Sequence, residues 1–291
     1  MKFAAWQQRS LIAPALVVVV VGLVVPLAYF LRFMLAETGG TGNAMEGFTF
    51  GNIAELFINE YYRETIFRTF AIALGSTLLT LILGLAVAKL IADARSKRMK
   101  TFLIMATVFP MLVGNVIRAI GWVALLGYSG VVNSLLVSLG LIDVATVELL
   151  KTPVTVAIAI TSVELPIMVM VLHASMELVG SETTRAAQSL GAGPLRTFVG
   201  VTLPQIVPGL ITGVSLVFVE SVNSYATPLL VGGSQVPMIA PEIYSSITRS
   251  NDWPLAAAMA AVTLFLSIVI LVAYARIMGR THARWSAGGV R

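Results

Sequence analysis

Six long apolar runs constrain this chain more than any other feature of its 291 residues. A helix needs about 20 predominantly apolar residues to cross the hydrocarbon core of a bilayer, and each run reaches that length. The sequence therefore predicts an all-α integral membrane protein with six transmembrane helices. The predicted spans cover approximately residues 11–35, 70–91, 102–126, 153–176, 205–229 and 254–275.

The composition argues against a soluble globule. Hydrophobic residues make up 57% of the chain and charged residues only 11%, whereas soluble domains carry about 25% charged residues. The net charge of +5 comes from short basic clusters beside the apolar runs, a pattern typical of membrane topology rather than of nucleic-acid binding. The chain contains no cysteine, which excludes disulfides and thiol chemistry.

The distribution of Lys and Arg predicts the orientation of the spans. Cytoplasmic loops of membrane proteins carry an excess of these residues, and one set of loops holds most of the 19 present. Both termini and the polar segment 181–204 are therefore predicted to be cytoplasmic. The basic residues on that side are Lys2, Arg9, Lys89, Arg95, Lys97, Arg98, Lys100, Arg185, Arg196, Arg276, Arg280, Arg284 and Arg291.

Segment 181–204 has the pattern of two short helices joined at a glycine. Ser181 can cap the first helix, and Glu182 in its first turn is favoured by the helix dipole. Gly191 suits the left-handed position that follows a helix, and the Gly193-Pro194 pair suits the start of a second one. The pattern predicts a helix–glycine–helix elbow on the membrane surface.

The second elbow helix is expected to end at Leu203-Pro204, where the fifth span begins. Small residues at positions 186, 187, 191 and 192 leave room for a partner to approach closely. A plain connecting loop with an amphipathic surface helix fits the same residues, so the pattern alone leaves both interpretations open.

The run TRAAQSLGAGPLRTFVGVTLPQIVPG resembles the EAA loop of binding-protein-dependent ABC transporter permeases. The paired alanines match at Ala186 and Ala187, the glycine matches at Gly191, and the closing dipeptide matches at Leu203-Pro204. Arg185 departs from the pattern, because the family has an acidic residue there. The runs IRAIGW at 117–122, GVVNSLL at 130–136 and ATPLLVGG at 226–233 further resemble polyamine-type permeases.

The resemblance implies a type I ABC importer permease in a bacterial inner membrane. Such a chain forms half of a translocation path, here for a polyamine-like solute, beside a second and different permease subunit. An external solute-binding protein delivers the solute, and a dimer of ATP-binding subunits supplies energy. The resemblance also implies a division into residues 1–64, a permease core at 65–275 and a basic tail at 276–291.

The same resemblance assigns ATPase coupling to the elbow. The chain lacks the G-x-x-x-x-G-K-[ST] phosphate loop, so we expect no bound cofactor and ATP hydrolysis by the partner alone. The residues expected to couple are Glu182, Arg185, Ala186, Ala187, Leu190, Gly191, Ala192, Gly193, Leu203 and Pro204.

Arg118, Glu164 and Glu220 fall inside the third, fourth and fifth predicted spans. A lone charge at the bilayer centre costs about 2.5–3.5 kcal/mol on insertion scales, so such residues face a bundle interior and usually pair. One interpretation is an Arg118–carboxylate pair that locks helices together. The other places Glu164 or Glu220 on the solute path, with Arg118 also beside it and hydrogen-bonding groups nearby at Asn223, Ser224 and Tyr225.

No catalytic residue or metal site is expected from the sequence. The two histidines, His173 and His282, stand in no H-E-x-x-H or comparable pattern. The alternatives to a permease are a secondary transporter or channel working without an ATPase, a membrane-embedded enzyme, and a purely structural subunit.

Overall fold

The computed structural model describes residues 2–37, 47–141, 150–179 and 181–288. All regular elements within these ranges are helical. The α-helices are α1 (Lys2–Met34), α2 (Gly51–Ile58), α3 (Glu60–Ala92), α4 (Lys97–Val108), α5 (Asn115–Leu126), α6 (Val131–Ser138), α7 (Pro153–Val179), α8 (Ser181–Ser189), α9 (Pro194–Thr197), α10 (Leu203–Gln205), α11 (Val207–Val222), α12 (Ile239–Thr248) and α13 (Trp253–Gly288).

The helices supply the number of spans that the sequence predicts. By length and hydropathy, five stretches within the described ranges could each cross a bilayer, and a bent helix pair brings the number to six. The fold is therefore all-α, as expected. The five stretches are Leu16–Met34, Glu60–Ala92, Asn115–Ser138, Pro153–Val179 and Trp253–Gly279, and the bent pair is Pro194–Gln205 with Val207–Val222.

The structure separates into two compact units. The first comprises residues 1–63 and 242–264. Within it, the Asn52 amide donates to the carbonyls of Met34 and Ala36, at 3.1 and 2.8 Å, and so holds α2 against the end of α1. The second unit comprises residues 64–241 and 265–291, and it contains every candidate site residue.

Helix α7 forms the centre of the second unit. In its most apolar 18-residue stretch, 56% of the residues are buried. Met168 and Leu172 are fully buried in a core that includes Ala88 of α3 and Val217 of α11. Because α7 is apolar on nearly every face, packing on several sides is the arrangement that its sequence favours.

Two glycines of α11 allow it to approach α7 closely. A Cβ on Gly213 would lie 2.9 Å from the sulfur of Met168, and a Cβ on Gly209 would overlap the side chain of Ser175. Small residues at this spacing let helix backbones approach in membranes. These two glycines, four residues apart, therefore serve packing inside the chain.

The third predicted span, residues 102–126, is wrong as a single continuous helix. Helix α4 ends at Val108, a 3₁₀ turn covers Phe109–Leu112, and α5 begins at Asn115. Pro110 lies in that turn, and it can neither donate a backbone hydrogen bond nor continue a straight helix without a clash. Helices α5 and α6 together make up the span in this region.

The fifth predicted span, residues 205–229, is also wrong at both ends. The helical run that starts at Pro194 continues past Leu203-Pro204 to Gln205 and then bends by 73° into α11. Pro208 explains the bend, because its ring would clash with the Pro204 carbonyl of a straight helix. Helix α11 then stops at Val222 rather than reaching residue 229.

The segment after α11 packs back onto the bundle. Pro228–Gly232 forms a π-helical turn in which Val231 is fully buried. Farther along, the Ile239 amide donates to the Thr69 hydroxyl at 2.9 Å, in a buried position. The segment from Pro228 to Gln235 thus forms short turns rather than a continuous helix, and α12 begins only at Ile239.

Candidate functional site

Glu164 is the most deeply buried acidic residue of the candidate site. It lies on α7 and is only 5% exposed. Its carboxylate interacts electrostatically with Glu220 of α11 and with Arg118 of α5. The structure therefore brings together three charges that lie far apart in the sequence, one from each of three helices.

Arg118 does not form the carboxylate pair that the sequence suggested. Its guanidinium donates to the backbone carbonyl of Val163, at 3.0 Å, and to the side-chain oxygen of Asn115. Among the described residues, no carboxylate lies within 4 Å of its nitrogens. A helix carbonyl retains a second lone pair, so it can accept from Arg118 without losing its own helical bond.

Glu220 is exposed and lies two residues before the end of α11. The Asn223 amide caps that end by donating to the Val219 carbonyl at 2.9 Å. Ser224 and Tyr225 follow in the break between α11 and the π-helical turn, and both are half-buried. The sequence predicted these residues inside the continuous helix of the fifth span, whereas the structure places them at a helix end and in its irregular continuation.

Two polar groups near these charges were missed by sequence reasoning. The Trp122 indole donates to the Ser162 hydroxyl at 2.8 Å and links α5 to α7 two residues from Glu164. The Ser221 hydroxyl is buried with no hydrogen-bond partner in the described structure. Its position beside Glu220 was the one available signal, but a serine in an apolar run carries little information without its neighbours.

The elbow has the backbone geometry that its glycine predicts. Gly191 follows α8 with φ of +87°. Its N–H donates to the Gln188 carbonyl, and the Ala192 N–H donates to the Ala187 carbonyl, at 2.9 and 3.1 Å. This pair of bonds is a Schellman motif, which requires a left-handed residue at the turn.

The elbow exposes apolar side chains that nothing covers in the described part of the structure. Leu190 is 89% exposed and Leu195 is 75% exposed. Arg185 and Ala186 are also exposed, and Ala187 and Ala192 are partly so. The side chain of Glu182 lies outside the described part of the structure.

Leu203 and Pro204 lie differently from the rest of the expected coupling set. Both are half-buried, and Leu203 packs against the core around α7. They therefore anchor the elbow to the helices of the second unit and are not part of its exposed surface. The ring of Phe198 adds a second anchor, because the Lys89 ammonium lies 5.1 Å from its centroid.

A cavity of about 650 Å³ lies between the elbow and the adjacent ends of α3, α4 and α7. Its wall includes charged residues of both signs, namely Lys89, Asp93, Arg95, Lys100, Glu177 and Arg185. No group of three or more His, Cys, Asp or Glu side chains in the described ranges could hold a metal ion. His173 is buried beside Glu177, with 3.7 Å between Nε2 and the carboxylate.

Apolar helices long enough to cross a membrane, charged side chains among them and an exposed elbow are together typical of a membrane transport protein. Residues 47–282 match the family described as binding-protein-dependent transport system inner membrane component. The chain belongs to this family. It is accordingly a permease subunit of an ABC importer, in which the ATPase is a separate subunit, and the secondary-transporter alternative is not favoured.

Curated relatives cover most of the chain. The spermidine/putrescine transport system permease protein PotB of Escherichia coli K12 is 30% identical over 226 residues, which cover 77% of this chain and 81% of that protein. PotB of Haemophilus influenzae is 27% identical over 227 residues, which cover 78% of each chain. The inner membrane ABC transporter permease protein YdcU of Escherichia coli is 30% identical and covers 81% of this chain and 77% of its own length.

Solved structures support the same fold. A chain of a bacterial alginate ABC transporter, crystallised with an alginate pentasaccharide-bound periplasmic protein, superimposes with a TM-score of 0.76. The match covers 95% of both chains at 20% identity, so it bears on the fold alone.

Proposed function

We propose that this permease conducts a polyamine-like cation. The observation that carries the proposal is the charge cluster inside the second unit: Glu164 and Glu220 outnumber the single cation, Arg118. Arg118 donates to a backbone carbonyl rather than to either carboxylate, so neither carboxylate is held in a direct ion pair with it. The printed names of the PotB relatives point to the same class of solute.

The solute path is proposed to run past the break that follows α11. Glu220 is exposed and would meet the cation first. The buried Glu164 would attract the cation electrostatically from deeper among the helices. Asn223, Ser224 and Tyr225 would offer hydrogen-bonding groups along the irregular backbone. Arg118 would fix α5 against α7 and limit how strongly the carboxylates retain the solute.

The elbow is proposed to couple this path to ATP hydrolysis. Leu190 and Leu195 would enter a cleft on one subunit of an ATPase dimer, because exposed apolar side chains on a polar loop are typical of a docking surface. Leu203 and Pro204 would pass the resulting movement to α11. Residues 1–64 and 276–291 are proposed to flank a permease core at 65–275.

The assembly is proposed to contain a second, different permease subunit and an external solute-binding protein in a bacterial inner membrane. Both termini would face the cytoplasm, as the distribution of Lys and Arg predicts. Affinity purification of the tagged chain from its native membrane is expected to yield a P-loop ATPase and a second permease in near-equal amounts. Recovery of the chain alone, with solute movement in proteoliposomes without ATP, would remove the coupling proposal.

Glu220→Gln is expected to raise the KM for spermidine uptake about tenfold, because the solute loses one attractive charge of the path. The measurement is ATP-driven uptake by the reconstituted complex over a range of spermidine concentrations, at a fixed concentration of binding protein. The matched control is Glu60→Gln, which neutralises an exposed carboxylate at the start of α3. Equal uptake kinetics for both variants would contradict a role for Glu220 in the path.

A further inference from the structure

The cavity beneath the elbow contains two ion pairs that are complete within the chain. Lys89 pairs with Asp93 at 2.7 Å, and Lys100 pairs with Glu177. Each pair joins one cation to one carboxylate, so the four groups together contribute no net charge. Both acidic residues of the cavity wall are therefore already neutralised by lysine.

The remaining charges of the cavity wall are two arginines. Arg95 and Arg185 both line the cavity and both are exposed. Neither forms a hydrogen bond or ion pair with any residue in the described structure. A guanidinium presents five N–H donors in a planar fork that matches a carboxylate bidentately. The cavity wall therefore presents guanidinium donors that have no acceptor among the described residues.

The position of Arg185 in the elbow favours an anionic group that belongs to a docked protein over a free ion. It lies on α8, within the same elbow that exposes Leu190 and Leu195. Gln188 and Pro194, which lie beside those leucines in the elbow, also line the cavity, so a partner docked on the leucines would lie next to it. A protein side chain delivered by that partner satisfies the apolar and the charged features together.

We propose that the cavity lined by Arg95 and Arg185 receives an acidic side chain of the ATPase subunit. This inference rests on the proposed coupling role of the elbow. The chain then reverses the charge expected of its contact: position 185 supplies the cation, and the ATPase supplies the carboxylate. Closure of the partner over the cavity excludes water and strengthens a charge-assisted bidentate contact.

The test measures the affinity of the purified ATPase for the permease complex in nanodiscs. Arg185→Glu and Arg95→Glu are each expected to weaken binding at least tenfold and to flatten its dependence on salt, since a complementary charge becomes a repulsive one. Arg196→Glu is the matched control, because it reverses an exposed charge of the same elbow outside the cavity wall. Arg185→Gln is expected to fall between the wild type and Arg185→Glu.

The absence of cysteine in the chain makes the partner residue identifiable. Arg185→Cys carries a single thiol, to which a photo-crosslinker can be attached and whose product with the ATPase can be mapped by mass spectrometry. Reversal of the mapped Asp or Glu to Arg is expected to restore binding to Arg185→Glu. Restoration by the pair, but by neither single variant, supports a direct contact.

Two results would contradict the proposal that the cavity receives an acidic side chain of the ATPase. If Arg185→Glu binds the ATPase as tightly as Arg196→Glu does, the cavity does not receive an acidic side chain, although the elbow still docks. If the reversed arginines instead abolish binding of inorganic phosphate or of phosphatidylglycerol vesicles, with ATPase affinity unchanged, the site serves a free anion or a lipid headgroup. A wild-type complex that never binds the ATPase would remove the coupling proposal itself.

Discussion

Gly191→Val is expected to abolish ATP-driven transport while leaving the permease folded and inserted. Gly191 has φ of +87°, and a Cβ there would meet no atom within 4 Å, so the obstacle is the backbone and not space. The left-handed conformation costs about 1–2 kcal/mol for an ordinary residue, and a β-branched residue is a true outlier there. The Schellman turn would open, and α8 would no longer present Leu190 at the same angle.

Transport is measured as solute uptake into proteoliposomes, and folding as the size-exclusion profile of the solubilised complex. Gly200→Val is the matched control, because Gly200 has no positive φ and also has open space around it. Gly191→Asn tests the backbone explanation directly, since asparagine tolerates the left-handed region. We expect Asn to retain transport that Val loses. Full transport by Gly191→Val would remove the elbow turn from the coupling mechanism.

Gly209→Ala is expected to destabilise the helical bundle by about 1–3 kcal/mol, the usual range for overpacking. The added methyl group would overlap the Ser175 side chain, whose hydroxyl is held by a 2.8 Å hydrogen bond to the Val171 carbonyl. Helices α7 and α11 would have to separate, although their close contact forms much of the core. Gly209→Leu is expected to yield no folded permease at all.

Ser175→Gly removes the overlapping side chain, so the double variant is expected to recover stability that Gly209→Ala loses. A thermal-unfolding cycle of the four proteins then gives a favourable coupling energy between the two sites. Gly75→Ala on α3 is the control, because a Cβ there meets nothing within 4 Å. If Gly209→Ala unfolds at the same temperature as Gly75→Ala, the two helices do not pack as tightly as described.

Much of the fold could be predicted from the sequence, because its strongest signals are local. Runs of about 20 apolar residues indicate spans on their own, and the glycine of the elbow indicates its left-handed turn before any contact is known. The ends of the third and fifth spans could not be predicted in the same way. Pro110 and Pro208 can kink, break or bend a helix, and hydropathy averages over such changes.

The candidate site was predictable only as a set of residue types. Arg118, Glu164 and Glu220 stand out because charges are expensive in a bilayer. The apparent solution, an Arg118–carboxylate pair, fails because the backbone carbonyl of Val163 lies within reach and the carboxylates do not. A sequence pattern contains no information about which backbone carbonyl will face a given side chain.

The sequence by itself determined that this protein is a helical membrane bundle, that residues 181–204 form an elbow, and that the chain resembles an ABC permease. These features depend on residue type and short spacing, which act within one or two helical turns. Only the tertiary structure decided which charges pair, that α11 ends at Val222, and that Arg95 and Arg185 share one cavity wall. Those outcomes depend on helices that are distant in sequence, and packing alone sets the distances between them.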